Sequence, residues 1–340
     1  MSEIASFRAR LSHLTEYLDD PTITEIAINR PGEVWLGEQG KRFMRRIEIP
    51  SLTYHLLESL ADVSASHSSQ ATSREQPLLA STIPINLEDG IDDAERGGYR
   101  VQVVRPPAVE DNTIAICIRK PTLLDIDLKA YSEAGAFNSV NAKLDDDQYS
   151  DDRLTELYEA GQWEEFLRGA VRSHKNIIIS AGTNAGKTTL LNALLKEIPA
   201  DERVVTIEDS REIRPPQANC LHMLYSRGDQ GTADVTAVDL LEAMLRLTPD
   251  RAIMGELRGA EAYSYLELLN SGHTGSITTI HADSPALMYE RLAQMVMRFG
   301  APIGKDQIIE YAKSLIQVVV QFKRGSDGRR YVSEIHYEGA

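Results

Sequence analysis

The sequence is poor in cysteine and contains no long apolar run. Its 340 residues include two cysteines, Cys117 and Cys220, which lie far apart and form no CxxC pair. This usage excludes a disulfide framework and a four-cysteine zinc site, and it favours a reducing cytoplasm. No run approaches the roughly 18 apolar residues of a membrane-spanning helix, so we expect any membrane contact to be peripheral or through partners. The first ten residues have no apolar core, so we expect no secretory signal.

Basic residues are scarce relative to acidic ones. The chain has 36 Lys and Arg against 51 Asp and Glu, which gives a net charge of −15. Such a charge argues against bulk binding of nucleic acid, and no motif predicts sequence-specific binding. Hydrophobic residues at 42% and charged residues at 26% are typical of a soluble globular protein. The length predicts two domains, because one hydrophobic core rarely grows beyond about 250–300 residues.

The first 125 residues predict an α+β domain with a mainly antiparallel sheet. Apolar side chains recur at helical spacing over residues 1–17, and a second helix follows Pro50 with Ser51 as its N-cap. Short β-like segments predict strands at residues 23–28, 33–36, 42–49, 78–85, 99–104 and 113–118. Residues 126–160 are polar and acidic, which predicts a linker with partial helix. Residues 154–167 predict a surface helix.

From residue 161 to residue 340, predicted strands and helices alternate. The strands fall at residues 177–180, 204–207, 221–225 and 252–254, and the helices at 187–196, 236–247, 259–270 and 284–299. This alternation is typical of a largely parallel sheet with helices on both faces. Two further segments, 315–322 and 330–337, flank a Gly-Ser-Asp-Gly turn and predict an added hairpin.

Residues 176–189 carry the most informative motif, Asn-Ile-Ile-Ile-Ser-Ala-Gly-Thr-Asn-Ala-Gly-Lys-Thr-Thr. An apolar strand enters a loop of small residues, and a helix begins near Lys187. Backbone N–H groups and the Lys187 ammonium can bind nucleotide phosphates, and the Thr188 hydroxyl can ligate Mg²⁺. Ala181 occupies a position that is more often glycine, where a small side chain fits. The alternative is a glycine turn with a surface lysine. The predicted nucleotide-binding residues are Gly182, Thr183, Asn184, Ala185, Gly186, Lys187, Thr188 and Thr189.

Three further motifs lie near the ends of predicted strands, where α/β folds bind ligands. Val-Val-Thr-Ile-Glu-Asp brings Glu208 and Asp209 to a strand end, where one carboxylate can orient or deprotonate water. A second strand ends in Gly-Glu, so Glu256 lies where P-loop proteins hold Mg²⁺. Gly-His-Thr-Gly-Ser precedes a strand that presents His281, which we interpret as a neutral sensor of the γ-phosphate rather than a zinc ligand. Each motif has an alternative interpretation. Glu208 and Asp209 could form an acidic surface turn, Arg258 beside Glu256 could form a salt bridge at a helix start, and the histidine could only hold its loop in place.

The order of these four motifs resembles the type II/type IV secretion-ATPase superfamily. Within it, the chain is most similar to the traffic ATPases of type IV secretion systems and conjugative plasmid transfer. Two N-terminal segments share the resemblance, Asp-Pro-Thr-Ile-Thr-Glu-Ile-Ala-Ile-Asn at residues 20–29 and Gly-Tyr-Arg-Val-Gln-Val-Val-Arg-Pro-Pro at residues 98–107. The resemblance implies two α/β domains, an N-terminal one over residues 1–125 and a RecA-like P-loop domain over residues 161–340.

The resemblance also implies chemistry and residue roles. The implied reaction is Mg²⁺-dependent hydrolysis of ATP to ADP and phosphate, with ATP and Mg²⁺ at the site. Lys187 would contact phosphate and Glu208 would activate water. Thr188 and Glu256 would face Mg²⁺, and His281 would be the histidine of the His box. From the N-terminal domain, the resemblance implies phosphate contacts for Arg100 and Arg119, with Arg105 as a further candidate.

The implied assembly is a hexameric ring in two stacked layers, with the nucleotide between the domains. Such a ring would act at the cytoplasmic face of the inner membrane with other type IV secretion ATPases and inner-membrane channel components. It would power substrate transfer or pilus biogenesis. Two alternatives stay open at this point: a pilus extension or retraction motor of the same superfamily, and a scaffold that binds nucleotide without hydrolysing it.

Overall fold

Two β-sheets organise the chain, and each has its own apolar core. The computed structural model describes residues 10–84, 98–121, 127–138, 140, 148–183, 185–226, 231–300 and 303–339. The first sheet is wholly antiparallel and the second is largely parallel. The predicted two-domain α/β fold is therefore confirmed.

The N-terminal sheet has six strands in the order β3-β2-β1-β6-β5-β4. Its strands are β1 Ile23–Ile28, β2 Glu33–Glu38, β3 Arg45–Glu48, β4 Leu78–Pro84, β5 Gly98–Val104 and β6 Ala115–Arg119. Helices α1 (Thr15–Asp19) and α2 (Tyr54–His67) cover one face, where alternate strand residues and the apolar side of α2 form the core. This alternation explains why these strands were predictable.

The predicted helix bounds in this domain need correction. The N-cap of α2 is Thr53 rather than Ser51, since the Thr53 hydroxyl accepts a hydrogen bond from the backbone N–H of Leu56 at 3.3 Å. The helix also runs into the predicted loop 64–76, because Ser64 and Ala65 lie on its buried face. Residues 1–9 of the first predicted helix lie outside the described residues.

The C-terminal sheet has seven strands in the order β13-β12-β7-β11-β10-β8-β9. These are β7 Ile177–Ala181, β8 Val204–Glu208, β9 Cys220–Leu224, β10 Arg251–Met254, β11 Ile277–Ile280, β12 Val318–Arg324 and β13 Arg330–Tyr337. All neighbouring pairs are parallel except β12 and β13. The predicted hairpin is therefore an extension of the sheet, attached through β12 beside the strand that precedes the phosphate loop.

Helices cover both faces of this sheet, as predicted. They are α4 Asp151–Glu159, α5 Trp163–Arg172, α6 Lys187–Leu194, α7 Ala237–Met244, α8 Glu261–Asn270, α9 Pro285–Arg298 and α10 Lys305–Leu315, and a 3₁₀ turn, Leu195–Glu197, follows α6. A further short helix, α3 Leu128–Glu133, precedes them and has no buried residue. Residues of α4, α5 and α6 contribute to the core on one face, and residues of α7, α8, α9 and α10 to the core on the other. Because successive strand residues point to opposite faces, β7 supplies apolar side chains to both cores.

The predicted surface helix over residues 154–167 is wrong. Two helices, α4 and α5, flank Gly161, which has a φ of +67° that favours glycine. Leu154, Leu157 and Phe166 are at most 1% exposed and pack in the core beside the sheet. The polar composition of this stretch therefore concealed a buried apolar stripe.

The two domains contact each other through apolar packing and buried hydrogen bonds. Three N-terminal residues join the core on one face of the C-terminal sheet: Val104, Ala108 and Cys117. Arg203, which is 1% exposed, donates to the side-chain oxygen of Asn29 at 2.8 Å. The Thr248 hydroxyl donates to the Glu25 carboxylate. Separating the domains would expose this apolar packing to water, so the interface resists opening.

Among the described residues, no helix is both long enough and apolar enough to cross a lipid bilayer.

A buried ion pair between Arg251 and Glu202 joins the starts of β8 and β10 and generates a stability prediction. Both side chains are at most 1% exposed. Burial acts to raise the pKa of Glu202, but hydrogen bonds from His174 and Arg251 outweigh it and lower this pKa to about 2. Glu202→Gln leaves Arg251 buried without its counter-charge, so we expect the free energy of unfolding at pH 7 to fall by about 3–5 kcal/mol. Urea unfolding measures this loss.

The double variant Glu202→Gln/Arg251→Met should lose less stability, because it leaves no unpaired charge. The folded-state pKa of Glu202 lies below its ordinary value of 4.5, so the contribution of the pair is present above that value and disappears as the pH falls towards 2. The difference between the wild type and Glu202→Gln should therefore shrink on acidification. An equal difference at pH 7 and pH 3 would contradict the assignment.

Candidate active site

The phosphate loop leaves the sheet at the carboxyl end of β7. This strand is buried throughout and lies between β11 and β12. Gly186 precedes α6 with a φ of +102°, and a Cβ there would lie 3.1 Å from Cδ of Arg330, so only glycine fits without strain. Thr188 and Thr189 lie in the first turn of α6. Of the other predicted loop residues, Ala185 is buried, Gly182 is half-buried and Thr183 is exposed, while Asn184 lies outside the described residues.

Lys187 turns inward from the first turn of α6. The residue is 8% exposed, and its Nζ lies 3.1 Å from Nδ1 and 3.2 Å from Nε2 of His281. Burial lowers the pKa of Lys187, the nearby charge of Arg291 adds to this, and Glu256 opposes it. Two motifs separated by 94 residues in sequence thus meet at one point.

His281 lies between the phosphate loop and Glu256. Its Nδ1 lies 3.2 Å from the carbonyl oxygen of Ala181, and its Nε2 lies 3.2 Å from Oε1 of Glu256. We assign the proton to Nδ1, which then donates to Ala181 and leaves Nε2 to accept from Lys187. Burial, followed by the positive charge of Lys187, lowers the pKa of His281. The ring is therefore neutral at neutral pH.

Glu256 follows β10, and its side chain is 13% exposed. Its Oε2 accepts a hydrogen bond from Nη2 of Arg258 at 2.7 Å, and Nη1 of Arg258 lies 3.4 Å from Oδ2 of Asp209. Arg258 therefore links the two acidic motifs across the sheet edge. The salt bridge that was the alternative interpretation of Arg258 exists, and it connects two predicted site regions rather than only capping a helix.

Glu208 ends β8, and its hydrogen bonds run to its own strand and to the loop that follows it. It is 2% exposed, and one carboxylate oxygen accepts hydrogen bonds from the backbone N–H groups of Glu212 and Ile213, both at 2.7 Å. Burial nevertheless raises the pKa of Glu208. Gly255 packs beside this side chain, since a Cβ on Gly255 would lie 3.7 Å from Cγ of Glu208. The carboxylate is thus fixed beside the residue that precedes Glu256.

Sequence reasoning missed the residues that support Glu208. The Thr206 hydroxyl donates to Oε1 of Glu208 at 3.1 Å, so Nδ1 of His222 donates to Thr206 at 2.8 Å. Burial, with a smaller contribution from the charge of Arg211, lowers the pKa of His222 to about 3. In the sequence, these residues are visible only as polar positions within two apolar strands. Thr206 on β8 and His222 on β9 lie opposite each other in the register of the two strands.

Arg100 and Arg119, the two predicted phosphate contacts of the N-terminal domain, lie on adjacent strands of the N-terminal sheet. They face each other on β5 and β6, and both line a cavity with Arg246. Among the described residues that line this cavity, none belongs to residues 182–189. Burial, followed by the charge of Arg119, lowers the pKa of His273, so the first histidine of the Gly-His-Thr-Gly motif lies within electrostatic reach of Arg119.

Arg105, the further candidate for phosphate contact, is paired within the N-terminal domain. Its side chain is 10% exposed, and its guanidinium pairs with Asp62 at 2.7 Å and with Glu58 at 3.2 Å. Both partners lie on α2, so this arginine serves the N-terminal domain internally. A guanidinium already paired with two carboxylates has few donors left for a nucleotide.

The donor set suits Mg²⁺ that is shared with phosphate. Within the described ranges, no group of three or more His, Cys, Asp and Glu side chains can hold a metal ion. Mg²⁺ at nucleotide sites needs only one or two protein donors, since phosphates and water complete its shell. Thr188 offers a hydroxyl and Glu256 a carboxylate, so these residues fit that kind of metal binding.

The histidines of this site generate a prediction about protonation. We expect the NMR titration midpoint of His281 to lie below the ordinary value of 6.5, and that of His222 near 3, because burial disfavours the charged rings. Both rings should stay neutral from pH 8 to pH 7 and gain charge only in acid. The variants His281→Asn and His222→Asn assign the signals. A midpoint at or above 6.5 for either ring would contradict the burial that we assign to that ring.

Comparison with known proteins identifies the family of the chain. Residues 146–323 match the family described as type II/IV secretion system protein. The type IV secretion system protein VirB11 of Brucella suis is 38% identical, over 98% of this chain and 91% of the relative. VirB11 of Bartonella henselae is 36% identical, over 98% and 94%. The crystal structure of the VirB11 ATPase from the Brucella suis type IV secretion system, in complex with sulphate, is 37% identical, has a TM-score of 0.86 and covers 98% of this chain and 97% of that chain. The chain therefore belongs to the type II/IV secretion system family and, within it, to the VirB11 ATPases of type IV secretion systems.

Proposed function

We propose that this ATPase hydrolyses ATP with Mg²⁺ to drive substrate transfer or pilus biogenesis by a type IV secretion system. The observation that carries the proposal is the convergence of Lys187, His281 and Glu256 at the start of a phosphate-binding helix. The positive end of α6 and the free N–H groups of its first turn suit an anion. The VirB11 relative crystallised with sulphate supports the binding of a tetrahedral oxyanion in this family.

These residues would act by positioning ATP and by neutralising the negative charge of its phosphates. The Lys187 ammonium would exchange its contact with His281 for the β- and γ-phosphates. Once Lys187 has moved, the neutral His281 would carry its proton on Nε2 and donate a hydrogen bond to a γ-phosphate oxygen, which would report the presence of the γ-phosphate. Bound Mg²⁺, held by Thr188 and Glu256, would neutralise phosphate charge.

Glu208 is the residue that we propose orients or deprotonates the attacking water. Its carboxylate is fixed by the backbone N–H groups of residues 212 and 213, so it cannot swing freely. A raised pKa makes a carboxylate a stronger base, and burial raises that of Glu208. Arg258 would hold Glu256 in place from the other side.

We further propose that Arg100 and Arg119 contact the phosphates of bound ATP. Guanidinium forks bind phosphate oxygens in pairs, and the two side chains lie opposite each other on adjacent strands. The proposed domains are residues 1–125, a linker over residues 126–160, and the ATPase domain over residues 161–340. The proposed assembly is a ring of six copies at the cytoplasmic face of the inner membrane, in contact with other secretion ATPases and inner-membrane channel components.

The similarity across almost the whole chain favours this function over the alternatives. Relatives at 36–38% identity over 98% of the chain are type IV secretion proteins, so a pilus motor is the less supported choice. A scaffold without turnover would not need Lys187, Glu208 and Glu256 together. Complementation of a transfer-deficient strain, compared with a twitching-deficient strain, separates the first two functions.

Loss of the lysine ammonium generates the first functional prediction. Lys187→Ala removes the charge at the phosphates, so we expect ATP turnover to fall to background while circular dichroism and the thermal midpoint change little. Phosphate release by the purified full chain measures this. Lys196→Ala is the matched control, since Lys196 is exposed in the 3₁₀ turn after the same helix. Full activity of Lys187→Ala would refute the assignment of the loop.

The carboxylate of Glu256 generates the second functional prediction. Glu256→Gln keeps the shape but removes the charge, so the Mg²⁺ concentration for half-maximal turnover should rise by about tenfold. A titration of turnover against Mg²⁺ at saturating ATP measures this rise. Glu310→Gln, on the exposed side of α10, should leave the titration unchanged. An unchanged midpoint in Glu256→Gln would remove Glu256 from the metal site.

A further inference from the structure

The antiparallel hairpin of β12 and β13 lies against the phosphate loop. β12 pairs with β7, the strand that precedes the loop, and Phe322 lies opposite Ala181 at the end of that strand. From β13, Arg330 reaches the other end of the loop. A Cβ on Gly186 would lie 3.1 Å from Cδ and 3.4 Å from Nη1 of Arg330, and 3.4 Å from Cε1 of Phe322. Side chains of the hairpin therefore touch the loop where α6 begins.

Two arginines of the hairpin face this side of the sheet. Arg324 lies opposite Arg330 in the register of β12 and β13. Side chains directly opposite each other in an antiparallel pair lie on the same face, so Arg324 shares the face on which Arg330 contacts Gly186. Like charges in this arrangement repel each other, which destabilises the strand pair unless an opposite charge compensates them.

Among the described residues, neither Arg324 nor Arg330 has a salt-bridge partner. By contrast, the neighbouring Arg329 pairs with Asp327 at 3.4 Å, and Arg105 of the N-terminal domain pairs with two carboxylates. The whole chain carries a net charge of −15, so carboxylates are abundant. Two guanidinium groups that take no carboxylate partner, beside a phosphate-binding loop, indicate an anionic ligand.

The order of the strands indicates which end of a bound nucleotide meets the hairpin. β7 lies between β11 and β12. His281 follows β11 and Glu256 follows β10, so the groups proposed for the γ-phosphate and Mg²⁺ lie on one side of the loop. Arg330 lies on the other side, since β13 is beyond β12. With its γ-phosphate at Lys187 and His281, ATP would place its α-phosphate towards the hairpin.

We propose that Arg330 binds the α-phosphate of ATP that is held by the phosphate loop of the same chain, with Arg324 adding positive charge. The proposal rests on the proposed function, which places ATP on that loop. A guanidinium fork can donate two hydrogen bonds to phosphate oxygens. The free N–H groups in the first turn of α6 and the Arg330 side chain would then bind the phosphate chain from two sides.

Packing positions the stem of Arg330 and leaves its donors available. Its Cδ lies against Gly186, as does the ring of Phe322, which packs against the core on the α6 face of the sheet. Arg330 itself is exposed. Long arginine stems pack on neighbouring surface while the charged group stays in solvent. The guanidinium can therefore meet a nucleotide that enters over the loop.

Nucleotide affinity separates this role from contact with the γ-phosphate. ATP and ADP both carry the α-phosphate, so Arg330→Ala should weaken the binding of both by the same factor. We expect the KM for ATP and the Kd for Mg²⁺–ADP each to rise about tenfold, while kcat stays within about twofold of the wild type. Arg330→Lys should recover part of the affinity, since it restores charge without the planar fork. Phosphate release and isothermal titration calorimetry on the purified full chain measure these constants.

Arg329→Ala is the matched control, because Arg329 lies in the same hairpin but already pairs with Asp327. This variant should keep the KM, the Kd and kcat of the wild type. Unchanged thermal midpoints confirm that the variants fold, and Arg330→Gln replaces Arg330→Ala if that variant does not.

Unchanged affinity for ADP in the folded variant would overturn the proposal, as would a fall in kcat that exceeds the rise in KM. The Kd for ADP is measured without turnover. A wild type that binds ADP but releases no phosphate from ATP would instead overturn the proposed function, and its affinity for ADP would still test Arg330. The two failures are therefore distinguishable.

Discussion

One buried ammonium group at the carboxyl edge of a parallel sheet is the constraint around which the ATPase domain is arranged. Lys187 is 8% exposed and contacts both ring nitrogens of His281. Placing a charge there requires neighbours that tolerate it, and Glu256 and a neutral His281 fulfil this role. The strands β7, β10 and β11 are neighbours or near neighbours in the sheet, and their parallel direction brings these three residues to the same edge.

The packed seam between the domains is the second determinant. Buried Arg203 bonds to Asn29, and Thr248 bonds to Glu25, so the N-terminal sheet lies in a defined orientation on its own ATPase domain. In that orientation, Arg100 and Arg119 line a cavity together with Arg246 of the ATPase domain.

The sequence predicted what local pattern and motif order determine. Strand alternation located β1 and β13 with their observed bounds, and the Gly-Lys-Thr motif located the start of α6. It failed where burial depends on distant partners. Residues 154–167 look polar, yet Leu154 and Phe166 are buried against the sheet. Helix α10 was not predicted, because it has only two buried residues and its apolar pattern is therefore weak. The hydrogen bonds of Thr206 and His222 around Glu208 depend on the pairing of β8 with β9, which no local signal specifies.

The most direct test of the central claim is a structure of the assembled protein with Mg²⁺ and a nonhydrolysable ATP analogue. We expect the phosphates to lie against residues 182–188, with Nζ of Lys187 moved from His281 to the β- and γ-phosphates. Density for the analogue at another place, or a phosphate loop that stays empty while Lys187 keeps its contact with His281 at saturating analogue, would contradict it.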